Sequence, residues 1–243
     1  MPDIRMSAAL ALLGNGKERG HATGRHSAAL AAAALGVDGI CAGVGTGPQG
    51  AVLAWGTGTV AVAVEGLEFT LGQGPSRDAV IARVPVLVPD IDLPDQTARW
   101  PAFAYGVTGF PVRAVFAFPL HIGAISVGVL TAHRAAPGSL TDAQLADALT
   151  LADAVTVLLV HQAYGEPDAI ASQGPDSEPG WEQPSTYHAQ VHQATGMISM
   201  QLGVSLAEAL VRLRARAYTE GRLINEVATD VLGRRLHFTA QND

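Results

Sequence analysis

Cysteine and lysine are almost missing from this chain, whose 243 residues contain one of each, Cys41 and Lys17. A single cysteine excludes an internal disulfide and fits a reducing compartment, so we expect a cytoplasmic protein. No G-x-x-x-x-G-K-[ST] phosphate loop occurs in the sequence, which excludes that way of binding a nucleoside triphosphate.

Long apolar runs are missing as well. The alanine-rich run Ser27–Leu35 is far shorter than the roughly 20 apolar residues of a membrane span, and no secretory signal precedes it. With 48% apolar and 15% charged residues, the composition is that of a packed soluble protein. We therefore expect no contact with a membrane.

Positive charge is scarce in the first three quarters of the chain. Residues 1–184 carry 9 Lys/Arg and 17 Asp/Glu, a net charge of −8, whereas residues 185–243 carry 6 and 5, a net charge of +1. An acidic body repels a polyanion, so any nucleic acid should meet the C-terminal part alone. The alternative is that the C-terminal arginines merely solvate the outer faces of helices.

The C-terminal part has the pattern of three short helices. Ser205 and Glu208 form a capping box at the start of the second helix. Gly203 and Gly221 stand where the first two helices should end. Each helix has an apolar stripe at helical spacing: Val191, Ala194, Ile198 and Leu202; Leu206, Ala209, Leu210, Leu213 and Ala217; and Ile224, Val227, Ala228 and Val231.

Several residues of these helices resemble the ANTAR domain, an RNA-binding output module of bacterial transcription antiterminators. They are Ala194-Thr195-Gly196, Leu213-Arg214 with Ala217, and Arg222 followed by Val227-Ala228. The match covers roughly residues 187–236. The chain departs from the family at Thr195 and Leu223, where lysine is usual, and at Gly221, where asparagine is usual.

This resemblance implies a set of RNA-binding residues. Guanidinium groups contact phosphates and stack on loop bases, and Arg214 and Arg222 coincide with family positions. The first helix would add hydrogen bonds from polar side chains. The predicted set is Gln193, Thr195, Arg212, Arg214, Arg216 and Arg222, and we expect Arg214→Ala to lower RNA affinity. Gly196 lies within a helix, which suggests that another backbone or a partner comes close.

The N-terminal part has the pattern of an α+β domain, in which helices flank an antiparallel sheet. Residues 60–69 fit a strand or a helix. Ser76 is a plausible N-cap of the helix that follows. The other predicted elements are helices at 6–13, 25–35, 76–83, from Arg99 and at 142–161, and strands at 39–44, 51–55, 86–88, 112–120 and 122–132.

This order of elements resembles a GAF domain of the kind that precedes ANTAR modules in actinobacterial proteins. The resembling segments are Leu71–Ala79, Val86–Asp90, Arg99–Phe103 and Ala114–Leu130. The resemblance implies a sensory domain that binds a small ligand, as yet unidentified, or simply dimerises. We predict a GAF-like domain at 20–163, a flexible linker at 164–185 rich in proline and acidic residues, and an ANTAR-like domain at 186–238.

No catalytic, metal or cofactor site is predicted. Gly45, Gly47 and Gly50 spell G-x-G-x-x-G, but a strand-like run follows them, whereas a dinucleotide site needs a helix there. Cys41 is expected to be a buried apolar residue rather than a nucleophile. The cluster Asp90, Asp92 and Asp95 is better read as a solvated loop than as a calcium site, and the pair His188 and His192 as surface residues rather than metal ligands.

Three functions remain open. The first is a signal-responsive regulator, not an enzyme, that binds tandem RNA hairpins as a homodimer and causes antitermination, with the heptad-like face of 142–161 pairing the two copies. The second is a GAF-like dimer whose degenerate ANTAR bundle binds a protein. The third is a helix-turn-helix DNA binder, which the turn at Gly221 and a third helix without base-reading residues count against.

Overall fold

A computed structural model of the protein describes residues 3–14, 21–45, 52–164 and 184–239. We call residues 3–164 the sheet unit and residues 184–239 the helical unit. The predicted linker lies almost entirely outside the described residues, as does most of the glycine motif that begins at Gly45. The helices are α1 Ile4–Gly14, α2 His21–Leu35, α3 Thr59–Leu71, α4 Pro75–Ala82, α5 Pro94–Arg99, α6 Pro101–Val107, α7 Asp142–Tyr164, α8 Pro184–Leu202, α9 Leu206–Glu220 and α10 Ile224–Leu232.

The sheet unit is built on five antiparallel strands in the order β2-β1-β5-β4-β3, which confirms the predicted α+β class. The strands are β1 Gly39–Val44, β2 Val52–Thr57, β3 Val86–Val88, β4 Ala114–Ile122 and β5 Ile125–Arg134. The strands predicted at 112–120 and 122–132 correspond to β4 and β5, which form a hairpin whose last pair is Ile122 with Ile125. Because side chains alternate across a strand, each central strand supplies both faces of the sheet.

One face of the sheet is apolar and packs against α1, α2 and α7. Phe116, Phe118, Leu130 and Ile40 lie on this face. Trp55 is buried beside them, and its indole N–H donates to the Ser27 hydroxyl at 3.0 Å. Burial of these side chains is the main stabilising contribution of this layer.

The other face of the sheet packs against α3, α4 and α6 and is partly polar. Val115, Ala117 and Val129 are apolar on this face, whereas Cys41 and Thr131 pair across β1 and β5. The α3 helix resolves the ambiguity of residues 60–69 in favour of a helix. Both acidic residues of that stretch, Glu65 and Glu68, therefore lie on a helix that packs against this face of the sheet.

Two predicted helix starts differ from the structure. The α4 helix begins at Pro75 after Gly74, without a side-chain cap, so Ser76 is not the N-cap. Its hydroxyl instead lies 2.9 Å from the Thr131 hydroxyl. The helix expected from Arg99 begins instead at Pro101, as α6, because Trp100 leaves helical geometry (φ −133°, ψ 68°). Arg99 is the last residue of a separate helix, α5.

The α7 helix is long and apolar enough, with a mean hydropathy of 1.6 over Asp142–His161, to cross a membrane by composition alone. Its residues Leu151, Val155 and Leu159 are instead buried in the core formed with α1 and α2. The heptad-like face predicted to pair two copies is therefore largely used within the sheet unit, although Leu149 remains 43% exposed.

The helical unit has the three helices that the sequence predicts. The Ser205 side chain accepts from the Glu208 N–H at 3.2 Å, and Gly221 adopts the left-handed conformation (φ 62°) that ends α9. The three apolar stripes meet in one core, except that Leu206, predicted to belong to the second stripe, is 54% exposed. Phe69 of α3 belongs to this core as well, so the helical unit is packed directly on the sheet unit.

Candidate functional site

The α9 helix presents its arginines on two different sides. Arg212 and Arg216 are one turn apart and pair with carboxylates on their own helix: Arg212 with Glu208 at 2.9 Å, and Arg216 with Glu220. These ion pairs lie at the surface, where such pairs contribute little to stability. Replacement of these carboxylates by the phosphates of a polyanion would therefore cost little free energy.

Arg222 follows α9 and ties its end to α10. Its guanidinium lies 3.0 Å from Glu220 and 2.7 Å from Asp230, and a weaker contact of 3.6 Å reaches Glu226. Hydrogen bonds from Arg222 and Arg235 hold the pKa of Asp230 below its ordinary value. Arg222 is therefore a positioning residue for the turn between the helices as well as a candidate phosphate ligand.

The two predicted residues of α8 differ in exposure. Gln193 is exposed. Thr195 is buried, and its hydroxyl donates to the Val191 carbonyl oxygen at 2.7 Å, so its side chain points into the helical unit. A Cβ added at Gly196 would meet no other atom of the described residues within 4 Å. The close approach predicted at Gly196 is thus not made by the described part of this chain, and an external partner remains a prediction.

Arg214 points toward the sheet unit. Its Nε donates to the Phe69 carbonyl oxygen at 2.9 Å, and its guanidinium carbon lies 5.1 Å from the centre of the Phe69 ring. Burial, together with the nearby charge of Arg77, lowers the pKa of Arg214 to about 10. In this structure Arg214, one of the two arginines predicted to coincide with family positions, therefore forms a contact between the two units.

Another side of α3 carries a buried carboxyl group, that of Glu68. Glu68 accepts from the Ser76 N–H at 3.0 Å, at the first turn of α4, where backbone N–H groups have no partner within the helix. Burial raises the pKa of Glu68 to about 8, against the opposing effect of the Ser76 hydrogen bonds. The anion site that the start of α4 offers is thus occupied by a group of the chain itself.

Gly74 is required for this arrangement. It has φ 145°, and a Cβ there would lie 2.6 Å from Cγ of Glu68. A side chain at this position would therefore be strained by its backbone and would also collide with the carboxyl-bearing side chain.

Glu65 and Cys41 lie beside Glu68. Burial and the charge of Glu68 raise the pKa of Glu65 to about 8. The Cys41 thiol is buried, lies 3.7 Å from the Ala61 carbonyl oxygen, and has its pKa raised by burial and by both glutamates. Since the thiolate is the nucleophile, this environment suppresses thiol chemistry, in agreement with the expectation that Cys41 is a buried core residue.

The remaining candidates from the sequence are explained by local contacts. Asp90 and Asp92 lie 2.9 Å and 3.1 Å from the guanidinium of Arg113, which supplies the cation of that loop. Within the described ranges, no group of three or more His, Cys, Asp or Glu side chains is placed to hold a metal ion. The side chain of His188 lies outside the described residues.

Sequence reasoning missed Glu65, Glu68 and Phe69. The available signal was two acids three residues apart in an otherwise apolar run, which is unusual unless the acids are buried together or solvated. That signal required residues 60–69 to be recognised as a helix. Nothing local marked Phe69 as a contact with a unit more than a hundred residues away.

Comparison with known proteins gives matches among solved structures only. No protein-family model matches the sequence, and no curated protein matches it. The chain is similar to the GAF domain of a phosphoenolpyruvate-protein phosphotransferase from Acinetobacter, with 16% identity and a TM-score of 0.49 over 69% of this chain and 100% of that one. A GAF domain of the same type of enzyme from Coxiella burnetii has 14% identity and a TM-score of 0.48 over 65% and 95%. A free methionine-R-sulfoxide reductase from Neisseria meningitidis, in complex with its substrate, has 20% identity and a TM-score of 0.46 over 65% and 89%.

Proposed function

We propose that the chain is a cytoplasmic two-part regulator. A GAF-like sheet unit receives a signal, and an ANTAR-like helical unit binds hairpin RNA to cause transcription antitermination. The observation that carries the proposal is the concentration of arginines on the helical unit. All six arginines of residues 185–243 lie there, on a unit with its own apolar core, whereas the sheet unit is acidic.

Arg212, Arg216 and Arg222 would meet RNA phosphates. Their present partners are surface carboxylates, so exchange for phosphate costs little, and release of counterions from the RNA favours binding. Tyr218 is 58% exposed on the same helix and offers a ring on which a loop base stacks. Gln193 adds a hydrogen-bonding side chain on the exposed side of α8.

Two further parts of the proposal concern the sheet unit. A small molecule would bind there as the signal, and two copies would associate through the exposed residues of α7. Leu149 and Val157 are 43% and 54% exposed and are eight residues apart, which places them on one side of the helix. This narrow strip replaces the broader predicted face, most of which is buried in the unit's own core.

A protein partner is the second candidate, and one observation favours it. Val211, Ala215 and Tyr218 follow a spacing of four and three residues on α9 and form an exposed apolar strip. Such a strip suits an apolar helix of another protein at least as well as an RNA loop. In that case the missing lysines at Thr195 and Leu223 would be a consequence of lost RNA binding.

The test is binding of the full-length protein to a pool of tandem RNA hairpins at low and moderate salt, with duplex DNA as competitor. RNA binding through phosphates should weaken steeply with salt and resist the duplex. Efficient competition by duplex DNA would favour the helix-turn-helix alternative. No binding at low salt, even with the variant that loosens the contact of Arg214 described below, would leave the protein partner as the better hypothesis.

A further inference from the structure

We propose that the end of α3 is a docking surface for α9 that withholds Arg214 from RNA. The occupant is the helical unit of the same chain, held by the carbonyl group and the ring of Phe69. This inference rests on the proposed function, because it concerns the regulation of the same RNA-binding residues.

The Phe69 carbonyl is suited to receive a guanidinium. It lies in the last turn of α3, which ends at Leu71 and is capped by Gly72 in the left-handed conformation. The final carbonyl groups of a helix have no partner within it and carry its partial negative charge. Arg214 thus closes the C-terminal end of a helix that belongs to the other unit.

The Phe69 side chain makes the contact specific. Its ring is only 5% exposed, because the residue packs in the core of the helical unit. The same ring presents a face to the Arg214 guanidinium at a distance where a cation is attracted to it. Removal of α9 from the surface therefore breaks a hydrogen bond, a cation–π contact and an apolar contact together.

The docked state is also built to be reversible. Arg214 is half-buried beside Arg77, a charge of the same sign, and both burial and that charge act against its cationic form. RNA phosphate would favour the cationic form, because it is an anion and forms strong hydrogen bonds with a guanidinium. Docking and RNA binding compete for one side chain.

The position of Phe69 connects this surface to the interior of the sheet unit. Glu68, the preceding residue, lies on a different side of α3 and accepts from the Ser76 N–H in the first turn of α4. The two side chains extend from the same helix, about 100° apart around its axis. A rotation of α3 that moves Glu68 therefore also moves Phe69. A signal that displaces Glu68 from α4 would reach Arg214 through this one helix.

The experiment compares full-length variants for binding to the tandem-hairpin RNA pool. Phe69→Leu keeps an apolar side chain of similar size but removes the ring face, and Phe69→Ala removes the contact. We expect RNA affinity to rise about threefold and about tenfold, because apparent affinity scales with the fraction of undocked protein. Phe103→Leu is the matched control, because Phe103 is a buried phenylalanine in the core between α6 and the sheet. This substitution should leave RNA affinity and the hydrogen exchange of α9 unchanged.

Hydrogen exchange of the α9 backbone in the free proteins supplies a readout that needs no RNA. Faster exchange in both Phe69 variants, with the control unchanged and RNA affinity raised, would support the proposal. Unchanged exchange and unchanged affinity would overturn it, while a loss of RNA binding in Arg214→Ala would still uphold the proposed function. Faster exchange without RNA binding by any variant would overturn RNA binding, and with it the competition, and would leave only the docking of α9.

Discussion

Replacement of Glu68 by glutamine should change how the stability of the protein depends on pH. The ordinary pKa of the group is 4.5, and burial raises it to about 8 in the folded chain. Between these values the unfolded chain releases the proton and the folded chain keeps it. The free energy of unfolding must therefore fall as pH rises through this window, because the folded state binds more protons.

The size of the effect follows from the shift. A rise from 4.5 to about 8 corresponds to about 5 kcal/mol when the window has been crossed, or about 1.4 kcal/mol for each pH unit within it. Domains of ordinary stability have about 5–15 kcal/mol in total, so this loss would be readily measured. Glu65 acts in the same direction, and its pKa should fall when the charge of Glu68 is removed.

The assay is urea unfolding of wild type and Glu68→Gln from about pH 5 to about pH 9. Tryptophan fluorescence is a suitable probe because Trp55 and Trp100 are both buried in the sheet unit. The difference between the two proteins cancels groups that titrate alike in both, such as His133, whose pKa burial lowers, and leaves Glu68 together with the coupled change at Glu65. Glu226→Gln, at an exposed site, is the control. A difference that stays constant across the range would refute the assignment of a neutral, buried Glu68.

Three further substitutions test local features. Gly74→Ala should lower the free energy of unfolding, measured in urea, by more than about 1 kcal/mol, because its methyl group would collide with Glu68 in a strained backbone. Gly109→Ala should be tolerated, since its methyl group would meet no other atom of the described residues within 4 Å. Arg222→Ala should weaken RNA binding and reduce the slope of log affinity against log salt by about 0.9, and Arg222→Lys should keep the slope; an unchanged slope in the alanine variant would remove Arg222 from the phosphate ligands. Ser205→Ala should lower the free energy of unfolding by about 1 kcal/mol, measured by thermal unfolding with circular dichroism, and Ser205→Thr should lower it much less. Equal losses in the two variants would mean that the hydrogen bond from the Glu208 N–H to the Ser205 hydroxyl contributes nothing.

Much of the fold follows from local patterns. The three C-terminal helices and the glycines at the ends of the first two are confirmed where the sequence predicts them, because each depends on residues close together in the chain. The β4–β5 hairpin is present as well, with its strands at 114–122 and 125–134 rather than at 112–120 and 122–132. Ser76 shows the limit of this approach. Its position suits an N-cap, but its hydroxyl forms a hydrogen bond with the hydroxyl of Thr131, 55 residues away in the chain, instead.

The candidate site is less predictable, because its geometry depends on contacts between distant segments. Spacing places Arg212 and Arg216 on one side of α9 and Arg214 on another, and the structure agrees. Spacing alone gives no indication that Arg214 meets the carbonyl of Phe69, 145 residues away in the chain. The hydroxyl of Thr195 likewise donates to the Val191 carbonyl oxygen within its own helix, and the sequence alone does not distinguish this from a hydrogen bond to RNA. The role of all six predicted residues in RNA binding remains a prediction.

The burial of Phe69 in the core of the helical unit has a practical consequence for dividing the protein. A fragment cut at the predicted boundary near residue 163 would carry this ring on its surface, and the complementary fragment would carry the hole that it fills. Each half should therefore be less soluble and less stable alone than within the whole chain, and co-expression of the two should recover part of the loss. Boundaries drawn from composition separate the segments of this chain, but the side chains of Phe69 and Arg214 make contacts across them.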